Sequence, residues 1–235
     1  MKLYINKLIL SQTTLDSAEI TPMMAIMHRF AEPGIYTVTV FQGDNQTNQF
    51  SLTVDENAPQ MLNRIDLGTI NCGCTVNSKA PTVFHAPKAT KGYSVIVEKF
   101  DGTKRSTVFD NKNLQDGDIF LATLLRPGEY HASNQRGAKC KISVSPPKTR
   151  RMQFTVTSQQ GISRPKIETV QIESTSAGFK PENVNIETAQ PLLFMIKAPS
   201  HIKIEFEPQN QENKAEKKRE ASSSILQKLS KKERK

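Results

Sequence analysis

Pro33-Gly34-Ile35-Tyr36-Thr37-Val38-Thr39-Val40 reads as a turn followed by a strand. Pro33 presets φ and Gly34 admits a positive φ, the combination a type II turn asks for. Behind the turn, Tyr36, Val38 and Val40 alternate with Ile35, Thr37 and Thr39, a period of two built largely from β-branched residues. Gly43-Asp44-Asn45 reverses the chain, and Phe50, Leu52 and Val54 alternate on the way back. The pattern occurs again further on. Pro127-Gly128-Glu129-Tyr130 opens a strand, Gln135-Arg136-Gly137 turns it, and Cys140, Ile142 and Val144 return. A buried tyrosine needs a partner for its hydroxyl, and a sandwich corner offers a backbone carbonyl. Pro33, Gly34, Tyr36, Pro127, Gly128 and Tyr130 are therefore expected to form structural corners.

The rest of the chain is punctuated in the same way. Asp101-Gly102 is a hairpin signal between Tyr93–Phe100 and Thr107–Phe109, and Asp116-Gly117-Asp118 turns into Ile119–Leu125. Asn57-Ala58-Pro59 and Pro146-Pro147-Lys148 read as boundaries. With 36% hydrophobic residues, 13 Pro, 11 Gly and no Trp, several small cores fit better than one large one. The expectation is an all-β chain of two or three small antiparallel β-sandwich units with a disordered basic tail. Residues 1–58 form an N-terminal β unit, 59–148 a central sandwich, 149–208 a third β unit that either closes on itself or pairs with 1–58, and 209–235 the tail. Strands are expected at Lys2–Leu10, Met152–Val156 and Lys166–Ser174, among others.

The third unit carries a resemblance. Gly178-Phe179-Lys180-Pro181 leads to Val184 and Ile186, then to the strand Leu192–Ile196 and to His201. This stretch resembles the opening half of a cupredoxin-like domain. The two Pro-Gly-x-Tyr units resemble the closing half of that fold, and also strands of PKD-type and other immunoglobulin-like domains. The resemblance implies a sandwich without its copper site. Copper-binding members carry a cysteine a few residues past the tyrosine, where this chain has Val40 and Asn134. His201 stands alone, whereas such a site needs two His, a thiolate and an axial ligand.

Charge is uneven. The chain carries +9, of which 209–235, with nine Lys or Arg against four Glu, accounts for +5. The tail could serve nucleic acid, an anionic membrane or a partner groove, with Ile225, Leu226 and Leu229 on one helical stripe. Met23, Met24 and Met27 lie in an apolar run expected to be buried or to make an interface. No apolar run is long enough to span a bilayer. The alternating start reads as a strand and not a leader, so a cytoplasmic location is expected unless a leader has been removed.

Phosphate loops, His-Glu-x-x-His and Gly-x-Ser-x-Gly are missing from the sequence. The densest ligand group is Cys72, Cys74 and His85, which could take copper or zinc but lacks the usual two-residue spacer and a fourth ligand. The reading is a non-catalytic protein, with no cofactor, that binds or assembles with a protein partner or with itself. The alternative is a metal-binding or electron-transfer protein built on Cys-Gly-Cys and His85.

Overall fold

The computed structural model describes residues 9, 11–59, 63–102, 104–147 and 168–208. Its named elements are all strands, arranged in three sheets. Most of Lys2–Leu10, the expected strand Met152–Val156, and the tail 209–235 with Ile225, Leu226 and Leu229 lie outside the described residues.

Thr14–Asp16 (β1) comes first. The first half of the chain then runs through Met24–His28 (β2), Gly34–Gln42 (β3), Asn45–Asp55 (β4), Asn63–Asp66 (β5), Cys74–Asn77 (β6), Thr82–His85 (β7), Ser94–Asp101 (β8) and Lys104–Asp110 (β9). Here β3 pairs antiparallel with β4 and β8, and β2 with β7. Two pairs are parallel, β4 with β6 and β5 with β7.

The second half repeats this scheme. Its strands are Ile119–Thr123 (β10), Gly128–Asn134 (β11), Lys139–Ser145 (β12), Val170–Thr175 (β13), Gly178–Lys180 (β14), Asn183–Glu187 (β15), Pro191–Ile196 (β16) and Ile202–Glu207 (β17). Again the Pro-Gly-x-Tyr strand β11 pairs antiparallel with its return strand β12 and with β17, and β10 with β16. Again two pairs are parallel, β12 with β15 and β13 with β16.

The parallel pairs correct the expectation of antiparallel units. Both halves visit the two sheets alternately after the hairpin, so β4, β6 and β5, β7 come to lie side by side running the same way. Such neighbours need crossovers and not tight turns. The turn signals in the sequence report hairpins and say nothing of these connections.

Sheet order shows how the halves join. One five-stranded sheet is β6-β4-β3-β8-β9, and the other is β1-β17-β11-β12-β15. The seven-stranded sheet, β14-β13-β16-β10-β2-β7-β5, takes strands from both halves and is continuous through β2 and β10. Pairing thus links 24–55 with 63–110 and 119–145 with 170–207, so it does not follow the expected boundaries at 58 and 148. Of the described residues in 1–58, β1 alone pairs with a strand from 149–208, β17.

The junction is centred on one residue pair. In β2·β10, Ile26 lies opposite Phe120, and both side chains are fully buried. Ninety-four residues separate Ile26 from Phe120, as they do Pro33 from Pro127. The halves are therefore related by an approximate two-fold through that pair. Small details obey it. Asp16 Oδ1 accepts from Ala18 N–H, and Asp110 Oδ1 from Lys112 N–H. Ile20 and Tyr93 exchange backbone hydrogen bonds, as do Leu114 and Ser200. Asn111 ties the seam: its Nδ2–H donates to Ser17 O at 2.8 Å, while its Oδ1 accepts from Val95 N–H at 2.6 Å.

Alternation supplies the core. Tyr36, Val38 and Val40 of β3, Val95 and Val97 of β8, and Phe120 and Ala122 of β10 are buried while their neighbours along each strand are less so. Each sheet therefore turns one face inward. Phe84 of β7 stacks on Phe109 of β9 at 5.1 Å, joining the seven-stranded sheet to a five-stranded one. Each such buried ring contributes roughly 1.5–3 kcal/mol.

Candidate functional site

The two corners are built alike. Tyr36 Oη–H donates to Glu32 O at 2.6 Å, and Tyr130 Oη–H to Arg126 O at 2.9 Å. Burial pushes both phenols above their ordinary pKa. Over the first corner, Lys99 Nζ reaches Glu32 Oε2 at 2.7 Å and lies 5.6 Å from the Tyr36 ring. At the second, the Arg126 guanidinium stacks 4.2 Å from the Phe206 ring. Beside it a cleft of about 270 Å³ is bordered by Leu15, Met23, Leu124, Arg126, Tyr130 and Ile204, among others. Its lining is largely apolar.

The expected ligand set is divided between sheets. Cys74 begins β6 and His85 ends β7, which belong to different sheets. Cys72 is exposed and Cys74 half-buried. Burial, then the neighbouring Cys72, push the Cys74 thiol up to about 11. Burial lowers the His85 pKa against the pull of Asp66. Among the described residues no group of three or more His, Cys, Asp or Glu side chains could hold a metal ion. Met23, Met24 and Met27 belong to the junction instead: Met24 and Met27 sit in β2, where Met27 faces Ile119 of β10 and Val83 of β7. Met23, just before, takes a φ of 71°, and its counterpart Gly117 one of 90°.

Three histidines meet carboxylates. His28 Nδ1 lies 2.6 Å from the buried Asp118 Oδ1, His131 Nε2 2.8 Å from Glu207, and His201 Nε2 2.5 Å from Asp16. The first and last pairs bridge parts of the chain far apart in sequence. Hydrogen bonding to Asp16 raises the His201 pKa despite its partial burial. Burial would raise Asp16, but its hydrogen bonds to His201 and to Ala18 N–H bring it below the usual carboxylate range.

What the sequence did not single out is the outward face of the sheet around β3. Ile35 is 67% exposed and Phe100 58%. Thr37 faces Glu98 and Tyr36 faces Lys99, which carries Ile35 one step on to Phe100 across β3·β8. The surrounding positions on this side of the sheet are Thr37, Thr39, Gln49, Ser51, Thr53, Ile96 and Glu98, of which Thr39 is buried. Glu98 is the one ionisable group of these nine, and Arg105 of β9 answers it at 3.9 Å.

The same nine places in the second half read Glu129, His131, Ser133, Lys139, Lys141, Ser143, Lys203, Glu205 and Glu207. Glu129 stands directly opposite Glu207, where the first half has Ile35 and Phe100. Like charges facing each other across strands are destabilising. Here they are held by Lys141 at 3.3 Å and Ser143 at 2.8 Å on Glu129, and by His131 on Glu207. Hydrogen bonding from Ser143 keeps Glu129 below the usual carboxylate range. One backbone thus carries an almost uncharged face in one half and a densely charged face in the other. The signal was present in the sequence: Ile35 is the apolar member of an outward row otherwise made of threonine.

In comparisons with known proteins, no family model, no curated protein and no solved structure matches the chain. No helix among the described residues is long and apolar enough to cross a membrane.

Proposed function

We propose that this chain is a non-catalytic β-sandwich protein that binds or assembles with a protein partner through the outward face of β3, β4 and β8. One observation carries the reading. The second half carries a densely charged outward face on the same pairing scheme, with Glu129 and Glu207 where the first half has Ile35 and Phe100, which supports the reading that the fold does not call for that pair to be apolar. Contiguous exposed apolar surface is a mark of a contact site, and Ile35 and Phe100 stand side by side across β3·β8. Each half is further proposed to be a sandwich of the cupredoxin-like kind. Its parallel pairs depart from the two antiparallel sheets of an immunoglobulin sandwich, which favours the former.

The metal-binding alternative has the closeness of Cys72 to Cys74 in its favour, and the separation of Cys74 and His85 between two sheets against it.

The test compares the wild-type chain with I35E/F100K, which replaces the apolar pair by an opposite-charge cross-strand pair and so spares the sheet. Both are immobilised and exposed to an extract of the cells they come from. A protein retained by the wild type and lost by the variant is the expected result. Equal retention by both would remove the reading.

A further inference from the structure

We propose that the cleft beside the second corner, a site separate from the outward face of β3, binds a small apolar carboxylate. The hydrocarbon part lies among Leu15, Met23, Leu124 and Ile204, and the carboxylate meets the Arg126 guanidinium.

The first corner shows how this backbone packs when rings fill it. The offset of 94 that carries Pro33 to Pro127 also carries His28 to Ala122 and Phe30 to Leu124. Asp16 and Asp110 hold equivalent places, which sets Leu15 against Phe109. Phe30 and Phe109 are buried, and the His28 ring lies 4.5 Å from the first and 4.8 Å from the second. Where the first half has these three rings, the second has one alanine and two leucines. Smaller side chains leave space wherever the surroundings collapse only in part. Leu15 and Leu124 border the cleft of about 270 Å³.

Met23 takes a place that stability alone would give to glycine. Thr21 O accepts from Met24 N–H across Pro22 and Met23, and Met23 has a φ of 71°. A turn with Pro second and a positive φ third ordinarily has glycine there. The equivalent residue in the second half is Gly117. Backbone strain of this kind collects at ligand sites. Met23 borders the cleft, and a flexible, polarizable thioether adapts to an apolar guest.

Arg126 supplies the polar end. It borders the cleft, and stacking 4.2 Å from the Phe206 ring sets its guanidinium in place. Among the described residues it forms no ion pair. Glu129 and Glu207, next in sequence to Tyr130 and Phe206, are held by their own donors. The planar fork of a guanidinium matches a carboxylate. At the first corner the equivalent of Arg126 is Glu32, an acid already held by Lys99. One corner thus pairs rings with a satisfied acid, and the other pairs a cleft with an unclaimed cation.

Size limits the guest. At ~30 Å³ per water-sized group, 270 Å³ holds about nine such groups. Octanoate fits that space with its head at the rim. A ligand this small should bind with a Kd of roughly 10 µM–1 mM.

Isothermal titration calorimetry of the full chain with octanoate, 1-octanol and octylammonium tests this. The wild type should bind octanoate in that range, octanol more weakly and octylammonium least. Arg126→Gln should weaken octanoate at least ~3-fold and leave octanol unchanged. Leu124→Phe, which restores the residue of the first half, should weaken octanoate and octanol alike. Met23→Gly should weaken both without lowering the unfolding midpoint, because it relieves the positive φ. Midpoints of all variants are measured alongside, so that Met23→Gly stands as the test of the cleft should Leu124→Phe not fold. A wild type that does not bind octanoate overturns the proposal. So does octanol bound as tightly as octanoate, or octanoate affinity unchanged by Arg126→Gln or by Met23→Gly.

Discussion

Replacing Gly128 by alanine separates two costs that Gly34 and Gly128 share only in part. Both open a Pro-Gly-x-Tyr strand, with φ of 147° at Gly34 and 143° at Gly128. Alanine at either position enters a region all but reserved to glycine, at about 1–3 kcal/mol. The surroundings differ. A Cβ on Gly34 would stand 3.5 Å from Lys99 Cε, ordinary contact with the end of a flexible chain. On Gly128 it would stand 2.5 Å from Phe206 Cε2. That ring is held from two directions, by Tyr130 at 5.1 Å and by the Arg126 guanidinium at 4.2 Å. Moving it adds a further overpacking cost of about 1–3 kcal/mol. G34A should thus lose about 1–3 kcal/mol and G128A about 2–6 kcal/mol. In urea unfolding followed by circular dichroism, the midpoint of G128A should fall below that of G34A with the slope unchanged. In thermal melts the gap between them should be roughly 2–12 °C, at ~2–4 °C per kcal/mol for a chain of this size. Adding Phe206→Leu should restore part of the loss in G128A and none in G34A, since coupling is confined to groups in contact. Equal losses at the two glycines, or no coupling to Phe206, would refute the reasoning.

Asn111→Ala would strand two buried backbone groups, Ser17 O and Val95 N–H, at about 1–3 kcal/mol each. Chemical denaturation should show a loss of about 2–6 kcal/mol, and a loss under ~0.5 kcal/mol would mean that water replaces the side chain. The Asp16–His201 pair should give a pH-dependent contribution. His201 has its pKa raised, so its share is full below the ordinary histidine value of about 6.5 and disappears as pH rises through the raised value. Asp16 has its pKa lowered, so its share is present above the ordinary carboxylate range and disappears as pH falls through the lowered value. The midpoint difference between wild type and His201→Gln should therefore peak in mildly acidic solution and shrink toward alkaline pH; a difference that stays flat from about pH 5 to 9 would exclude the pair as its source.

The elements that the sequence disclosed are those set by local chemistry. Alternation after Pro33-Gly34 and Pro127-Gly128 marks β3 and β11 because side-chain period and turn geometry are both written in neighbouring residues. Hairpins β3·β4, β8·β9 and β11·β12 follow from their turns for the same reason. Sheet membership is not local. Nothing in Thr82-Val83-Phe84-His85 says that it lies beside β2 and β5 and not beside β6, since a short apolar run fits either neighbour. Strand pairing runs across Asn57-Pro59 and Pro146-Pro147, because prolines interrupt strands while a sheet can resume on the far side of the interruption. Of the candidate site residues, Cys72 and Cys74 are near each other because they are neighbours in sequence. His85 was grouped with them on spacing alone, and the crossover between sheets parts it from Cys74.

The repeat makes each half a control for the other, and it bears on where the molecule can still associate. The methionine-rich run Met23–Phe30 contains β2, which pairs within the chain. Its strand β2 lies against β10 with Ile26 and Phe120 at the centre, the arrangement two separate copies would adopt about a two-fold. That contact is saturated, because β7 and β16 flank it on either side. Any association with another molecule would have to use a surface that this seam leaves free. In the second half the outward sheet face is occupied by acids and lysines that satisfy one another. In the first half the same positions hold Ile35 and Phe100 against a background of threonine and serine. Since the two halves share a pairing scheme, folding does not account for this difference, and it is the difference that a contact with another molecule would require.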